Sequence, residues 1–259
     1  MKKLNTIPID EVQNLDEAKA PKTPQATQAA TQGTQAPLDR YTRSRIIFGD
    51  SFEAITQKSV LLFGVGGVGS FVLDCLYRSG LTNITIIDKD CFDITNQNRQ
   101  IGAEHLNEPK VAVLARLYPG ITPLQEQVSV ENLAQFDMMK YDYIVDAIDD
   151  IEAKVAIAKV ASTKPMGKFI VSTGSAKKLN PLHIKVGNIW KSYGDKFARK
   201  FRDHLKKAGV RASFKAVFSP EVPKCKALGS FSGVTASFGL TIASEIIQDI
   251  IKESENASV

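Results

Sequence analysis

The stretch VLLFGVGGVGSFVLDCLYRSG, residues 60–80, constrains the fold more than any other part of the chain. An apolar run of strand length enters a glycine-rich turn, and a helical pattern leaves it. Gly64, Gly66 and Gly69 satisfy G-x-G-x-x-G, with Gly67 inside the loop. Asp88 stands nineteen residues beyond Gly69, at the end of the next apolar run, NITIID. Glycines let the backbone approach phosphate closely, the N–H groups of the following helix receive phosphate oxygens, and an acid at that spacing takes ribose hydroxyls. NAD, FAD, S-adenosyl donors and ATP all fit this pattern.

Strand and helix signals then alternate. The chain first reads as helical near DRYTRSRIIFGDSFEAI, where Ile46, Ile47, Phe48, Phe52 and Ile55 share roughly helical spacing. Strands are expected at SVLLFG, NITIID, residues 126–128, YDYIVDAI and KFIVSTG. Helices are expected over about residues 67–79, from Pro109 through PKVAVLARLYP, at ENLAQF and at IEAKVAIAKVAST. That alternation implies a Rossmann-like, doubly wound, mostly parallel sheet with helices on both faces. After Gly174 the pattern changes to strands HIKVGNIW and SFKAVFS around a basic helix, GDKFARKFRDHLKKAG. A long apolar helix, residues 233–252, closes the chain, with Thr235, Ala236 and Gly239 suited to close helix packing. Residues 1–37 read as a disordered, low-complexity arm, because PKTPQATQAATQGTQAP cannot bury enough apolar area to offset its ordering entropy. Residues 38–259 form the nucleotide-binding domain.

The residues after Asp88 discriminate among the nucleotides. Asp88, Asp90, Asn96, Asn98, Arg99 and Gln100 fall within thirteen positions. A dinucleotide pyrophosphate is already served by helix N–H groups. A triphosphate attacked at its α-phosphorus builds charge on the leaving pyrophosphate, and cations relieve it. Arg99 offers a planar fork for phosphate oxygens, Lys110 adds a second cation, and Asp149 ends a strand on the carboxyl edge where open sheets bind ligands. Asp149 is suited to hold Mg²⁺ against phosphates. Together they favour ATP.

GVGGVG, DKD with TNQNRQ, PK and DAIDD resemble the ThiF-like adenylating domain shared by ubiquitin-activating enzymes and bacterial carrier-protein adenylyltransferases. TNQNRQ, VFSPE and GSFSGVTASFGL further resemble the tRNA threonylcarbamoyladenosine dehydratase family, across nearly the whole chain except the arm. The resemblance implies ATP-dependent acyl adenylation of the nucleoside's carboxylate in tRNA, followed by ring closure. It implies that the glycine loop, Asn96, Arg99 and Lys110 hold phosphates, that Asp88 holds the ribose, that Asp90 belongs to the same nucleotide site, and that Asp149 positions Mg²⁺. It also implies a homodimer in which Arg43, with Arg45 as rival, reaches the partner's ATP. A sulfur-transfer or redox protein partner is left open, as is the identity of the carboxylate's contacts, for which Lys154, Ser175 and Ser219 are candidates.

Between Lys185 and Lys215 stand ten Lys or Arg against Asp195 and Asp203, in a chain of net charge +5. Phe197, Phe201 and Leu205 would form the buried stripe of the basic helix. Lys196, Arg199, Lys200, Arg202, Lys206 and Lys207 would then face outward as a tRNA-binding surface within a segment spanning residues 175–232. Trp190 and Tyr193 could stack on a base, although packing is the commoner outcome for such aromatics. The alternatives are an adenylyltransferase for a ubiquitin-like sulfur-carrier protein, a non-catalytic relative and, more distantly, an NAD oxidoreductase. Carrier-protein enzymes use zinc held by two CxxC pairs. Cys75, Cys91 and Cys225 form none, so no zinc is expected, and Cys225 reads as an ordinary loop cysteine. No run approaches the ~18 apolar residues of a membrane span, and a cytoplasmic protein is expected.

Overall fold

The alternating apolar residues of the central strands sort onto two faces, and each face has its own core. The computed structural model describes residues 38–257, so the arm expected over residues 1–37 lies outside them. The first helical region is two short helices, α1 (Thr42–Phe48) and α2 (Ser51–Thr56), separated at Gly49. Strand β1 (Ser59–Phe63) leads into α3 (Gly69–Arg78), and β2 (Asn83–Ile87) into α4 (Lys110–Leu117). Then come β3 (Thr122–Leu124), β4 (Tyr143–Asp146), α5 (Ile151–Ala161) and β5 (Phe169–Ser172). Strand β6 (Lys185–Asn188), α6 (Lys196–Lys207), β7 (Lys215–Phe218) and α7 (Ser232–Ala257) complete the chain.

The sheet order is β3-β2-β1-β4-β5-β7-β6. Every pairing is parallel except that of β6 with β7. The expected doubly wound sheet is therefore present, and residues 175–232 carry its last two strands. On β1, Val60 and Leu62 enter the core beneath α3 and α7, while Leu61 and Phe63 enter the core beneath α5 and α6. The two-residue period of a strand buried on both faces explains this division.

Three expectations shift. No strand forms at 126–128; β3 lies at 122–124 and contains Pro123. Proline removes a backbone donor, but β3 is an edge strand paired on one side only, where that loss is tolerated. ENLAQF forms only a short 3₁₀ turn, Leu133–Phe136. Of the first apolar set, Phe52 and Ile55 are buried, whereas Ile46 and Ile47 are 79% and 77% exposed.

Helix α7 is long and apolar enough to cross a membrane by length and composition, but half of that window is buried within the fold. Val234, Phe238, Ile242, Ile246 and Ile250 are core residues. A Cβ at Gly239 would collide with the carbonyl oxygen of Val68. Glycine thus permits the contact between α7 and the start of α3, and this fulfils the small-residue expectation for that helix.

Candidate active site

The sheet order reverses between β1 and β4, the place where open α/β sheets form a ligand crevice. A cleft of ≈ 900 Å³ opens at these strand ends. Gly64, Gly66 and Gly67 line it, and a Cβ at Gly69 would collide with the carbonyl oxygen of Gly64, so the turn cannot close around a larger residue. Asp88 Oδ2 accepts a hydrogen bond from the Val65 N–H at 2.8 Å, and Asp88 Oδ1 from the Asp90 N–H at 2.9 Å. Each carboxylate oxygen keeps a further acceptor site. The sequence interval between glycine turn and acid is thereby converted into direct contact.

The segment TNQNRQ folds over the turn. Asn96 is buried and closes a capping box with Asp93. Its Nδ2 donates to Asp93 Oδ2 at 3.1 Å, and its Oδ1 accepts from the Asp93 N–H at 3.3 Å. Asn98 Nδ2 donates to the Ser230 carbonyl at 3.0 Å, tying the segment to the loop before α7. The Arg99 stem lies over Gly67. Arg99 Nη1 donates to the Thr95 carbonyl at 2.7 Å and to Asn98 Oδ1 at 2.9 Å. Its Nε and Nη2 make no hydrogen bond among the described residues and remain available to an anion. Lys110 is only 5% exposed, and its Nζ lies 3.2 Å from Asp90 Oδ2. Asp149 is exposed and lines the cleft just past β4. Glycine turn, Asp88, Asp90, Asn96, Arg99, Lys110 and Asp149 all line this one cleft, except Gly69, which shapes its turn.

Arg43 is not in the cleft. It is exposed on α1, and its side chain makes no hydrogen bond or ion pair among the described residues. Its rival Arg45 is engaged, donating from Nη1 and Nη2 to the two carboxylate oxygens of Asp39 at 2.6 and 2.7 Å. That guanidinium lowers the Asp39 carboxyl to about 2.

Two of the candidates for the substrate carboxylate are withdrawn from the cleft. Ser175 lines it, but Ser219 is buried and accepts from the Glu221 N–H at 3.3 Å. Lys154 is wholly buried and donates to Asp146 Oδ1 at 2.8 Å and to the Ile148 carbonyl at 3.1 Å. Burial pushes the Asp146 carboxyl up from its ordinary range, and the Lys154 ammonium opposes that shift. Asp146 Oδ1 also accepts from the Ile148 N–H at 3.2 Å, so the pair holds both the N–H and the carbonyl of Ile148, next to Asp149. Removing one member of a buried pair leaves an uncompensated charge. Lys154→Met should therefore cost about 3–5 kcal/mol of stability, and Asp146→Leu with Lys154→Met should recover most of it. Urea unfolding of the three proteins checks this; a single variant as stable as wild type would refute it.

Nothing local in the sequence marks the rest of the wall. Residues 126–131 line the side near β2 and β3, Thr173, Gly174 and Phe197 continue the wall past β5, and Thr235 stands against Gly67 at the glycine turn. Helix α6 has the expected inner stripe, with Phe201 and Leu205 buried and Phe197 partly exposed. Lys196, Arg199, Lys200, Lys206 and Lys207 are exposed. Arg202 departs from the expectation: it is half-buried and donates to Ser192 Oγ. Trp190 packs against the α5–α6 core and donates from Nε1 to the Ala212 carbonyl at 2.9 Å, while Tyr193 is exposed.

Fold and cleft together define a nucleotide-binding α/β protein of the doubly wound class. The chain belongs to the ThiF family, whose sequence profile matches residues 38–259. It is 33% identical over 195 residues to the tRNA threonylcarbamoyladenosine dehydratase of Bacillus subtilis strain 168, covering 72% of this chain and 76% of that protein. The Escherichia coli tRNA N6-threonylcarbamoyladenosine dehydratase, solved in complex with ATP, matches with a TM-score of 0.77 at 27% identity, over 84% of this chain and 96% of that one. Its AMP complex gives a TM-score of 0.78 at 28% identity, over 83% and 96%. Likeness to the sulfur carrier protein adenylyltransferase of Thermus thermophilus is narrower, 28% identity over 146 residues, covering 51% of this chain and 54% of that protein.

Proposed function

We propose that this protein is an ATP-dependent tRNA-modifying enzyme that dehydrates threonylcarbamoyladenosine in tRNA to its cyclic form through an acyl adenylate. The observation that carries the reading is a single cleft with a cationic, glycine-walled phosphate end whose far wall is the start of a basic helix. The named dehydratases that match across most of the chain support it.

In this reading the threonyl carboxylate oxygen attacks the α-phosphorus of ATP, and the bond to pyrophosphate breaks. The neighbouring ureido group of the same nucleoside then attacks the acyl carbon, loses its proton and expels AMP. The second nucleophile is intramolecular, so proximity supplies much of the rate and no enzyme nucleophile is needed. Gly64, Gly66, Gly67, Gly69, Asn96, Arg99 and Lys110 serve the phosphates. Asp88, with Asp90 beside it, accepts from the ribose hydroxyls. Asp149 fits Mg²⁺ as an exposed hard-oxygen donor on the cleft. The described residues offer no group of three or more His, Cys, Asp or Glu for a metal, so remaining ligands would come from phosphate and water. When bound, the ion neutralises phosphate charge.

Unpartnered Arg43, together with Ile46 and Ile47 exposed on the same short helix, supports a homodimer that presents Arg43 to the other subunit's nucleotide. The three cysteines are free, which fits a cytoplasmic setting. A sulfur-transfer or redox protein partner finds no specific support in the cleft. The residues 175–232 are read as the tRNA-facing part.

Pyrophosphate exchange into ATP tests the function. It should be stimulated by tRNA carrying the modified adenosine and not by a carrier-protein C-terminus; the reverse result would select the adenylyltransferase reading. Changing Lys200, Lys206 and Lys207 to Glu should weaken tRNA binding and flatten its log–log salt slope by about 2 to 3, while ATP affinity holds. Arg202 is spared because it holds Ser192. Unaltered tRNA affinity would make this helix merely a solvated face.

A further inference from the structure

The nucleotide's needs explain only part of the cleft. The glycine turn and Asp88 sit at the ends of β1 and β2, but the cavity continues past β4 to β5, where Thr173, Gly174 and Ser175 line it. Strands lie about 4.8 Å apart, so the step from β2 to β5 spans roughly 14 Å. At that end Phe197 enters the wall.

Phe197 lies in the first turn of α6, the helix that carries the exposed Lys196, Arg199 and Lys200. The start of this helix is fixed to the cleft. Asp195 Oδ2 accepts from Thr173 Oγ1 at 2.6 Å, and Asp195 Oδ1 accepts from the N–H groups of Phe197 at 2.8 Å and Ala198 at 3.2 Å. Lys178 Nζ lies 3.4 Å from Asp195 Oδ2 and also donates to the Gly174 carbonyl. A Cβ at Gly174 would come within 2.9 Å of Phe197 Cβ, so the root of the phenylalanine side chain sits directly on the strand end. The result is a partly exposed ring, rigidly based, at the junction between the strand-end cavity and the basic surface.

We propose that this end of the cleft is the nucleoside subsite, with Phe197 as the stacking platform for the base whose attached carboxylate is adenylated. The inference rests on the tRNA-modifying reading given above. A base in an RNA loop can be splayed out and stacked on an aromatic ring, while phosphates flanking it meet Lys or Arg. Phe197 has cations within one turn of its own helix and the phosphate end of the cleft on its other side. A base held there hands its substituent inward along the strand ends.

The test is steady-state kinetics and direct binding with modified tRNA for Phe197→Ala, Phe197→Leu and Phe197→Trp. The alanine variant should weaken tRNA binding and raise its KM by about 5- to 100-fold, leucine should fall between it and wild type, and tryptophan should restore most of the affinity. ATP affinity and the salt slope of tRNA binding should not move, because no phosphate contact is lost. Leucine and alanine variants within twofold of wild type would overturn the subsite. So would a salt slope that falls along with affinity, since the whole helix would then have shifted. Failure of the underlying reading looks different: wild-type protein would itself show no tRNA-dependent exchange, or would respond to a carrier-protein C-terminus instead.

Discussion

Asp149→Ala should slow pyrophosphate exchange by about 10²–10³-fold while leaving the urea midpoint and tRNA affinity at wild-type values. The magnitude is that of removing one preorganised group that stabilises developing charge in the transition state. The selectivity comes from position. Asp149 is exposed at the cleft and lies outside both cores, so its loss costs no packing. The turn that carries it is held independently, by Lys154 and Asp146 on Ile148 and by the Asp150 side chain accepting from the Ala153 N–H at 2.8 Å. Near wild-type exchange in Mg²⁺ would remove Asp149 from the chemistry.

Arg43→Ala should be nearly as inactive, and its inactivity should be repairable by a second inactive protein. Arg43 sits on α1 with no partner among the described residues, whereas Arg45 is already committed to Asp39. An arginine supplied across a dimer would neutralise charge on the departing pyrophosphate. Equal amounts of Arg43→Ala and Asp149→Ala, allowed to exchange subunits, give half mixed dimers. If Arg43 acts on the other subunit's nucleotide, each mixed dimer has one site damaged twice and one intact. Activity should then rise to about a quarter of wild type. With exchange confirmed by labelled subunits, persistent inactivity would assign Arg43 to its own subunit or to no catalytic role.

The sequence by itself determined the features that depend on backbone periodicity and local chemistry. The glycine turn was legible because only glycine permits its close approach at Gly69. The strand at β1 was legible as an apolar run, but which of Val60, Leu61, Leu62 and Phe63 faces which core came from the structure. The cluster from Asp88 to Gln100 was legible because short sequence separation kept it together, and the inner stripe of α6 followed from helical spacing. Sequence resemblance, not spacing, brought tRNA and Arg43 into view.

Tertiary structure decided what depends on how distant segments meet. β3 could lie at 122–124 only because Pro123 fell on a sheet edge, which is a property of strand order. Lys154 looked like an available cation, yet α5 packs it wholly inside against Asp146, where an ion pair must form to offset desolvation. Arg43 and Arg45 are two residues apart and chemically identical; Asp39 and the Phe52 ring engage the Arg45 guanidinium, while that of Arg43 has no partner among the described residues. Phe197 read as the first member of a buried stripe, but the end of β5 meets the start of α6 at Gly174 and leaves its ring partly exposed to the cleft. Periodicity states which residues share a face. It does not state what that face meets, because burial, pairing and access are set by segments far away along the chain.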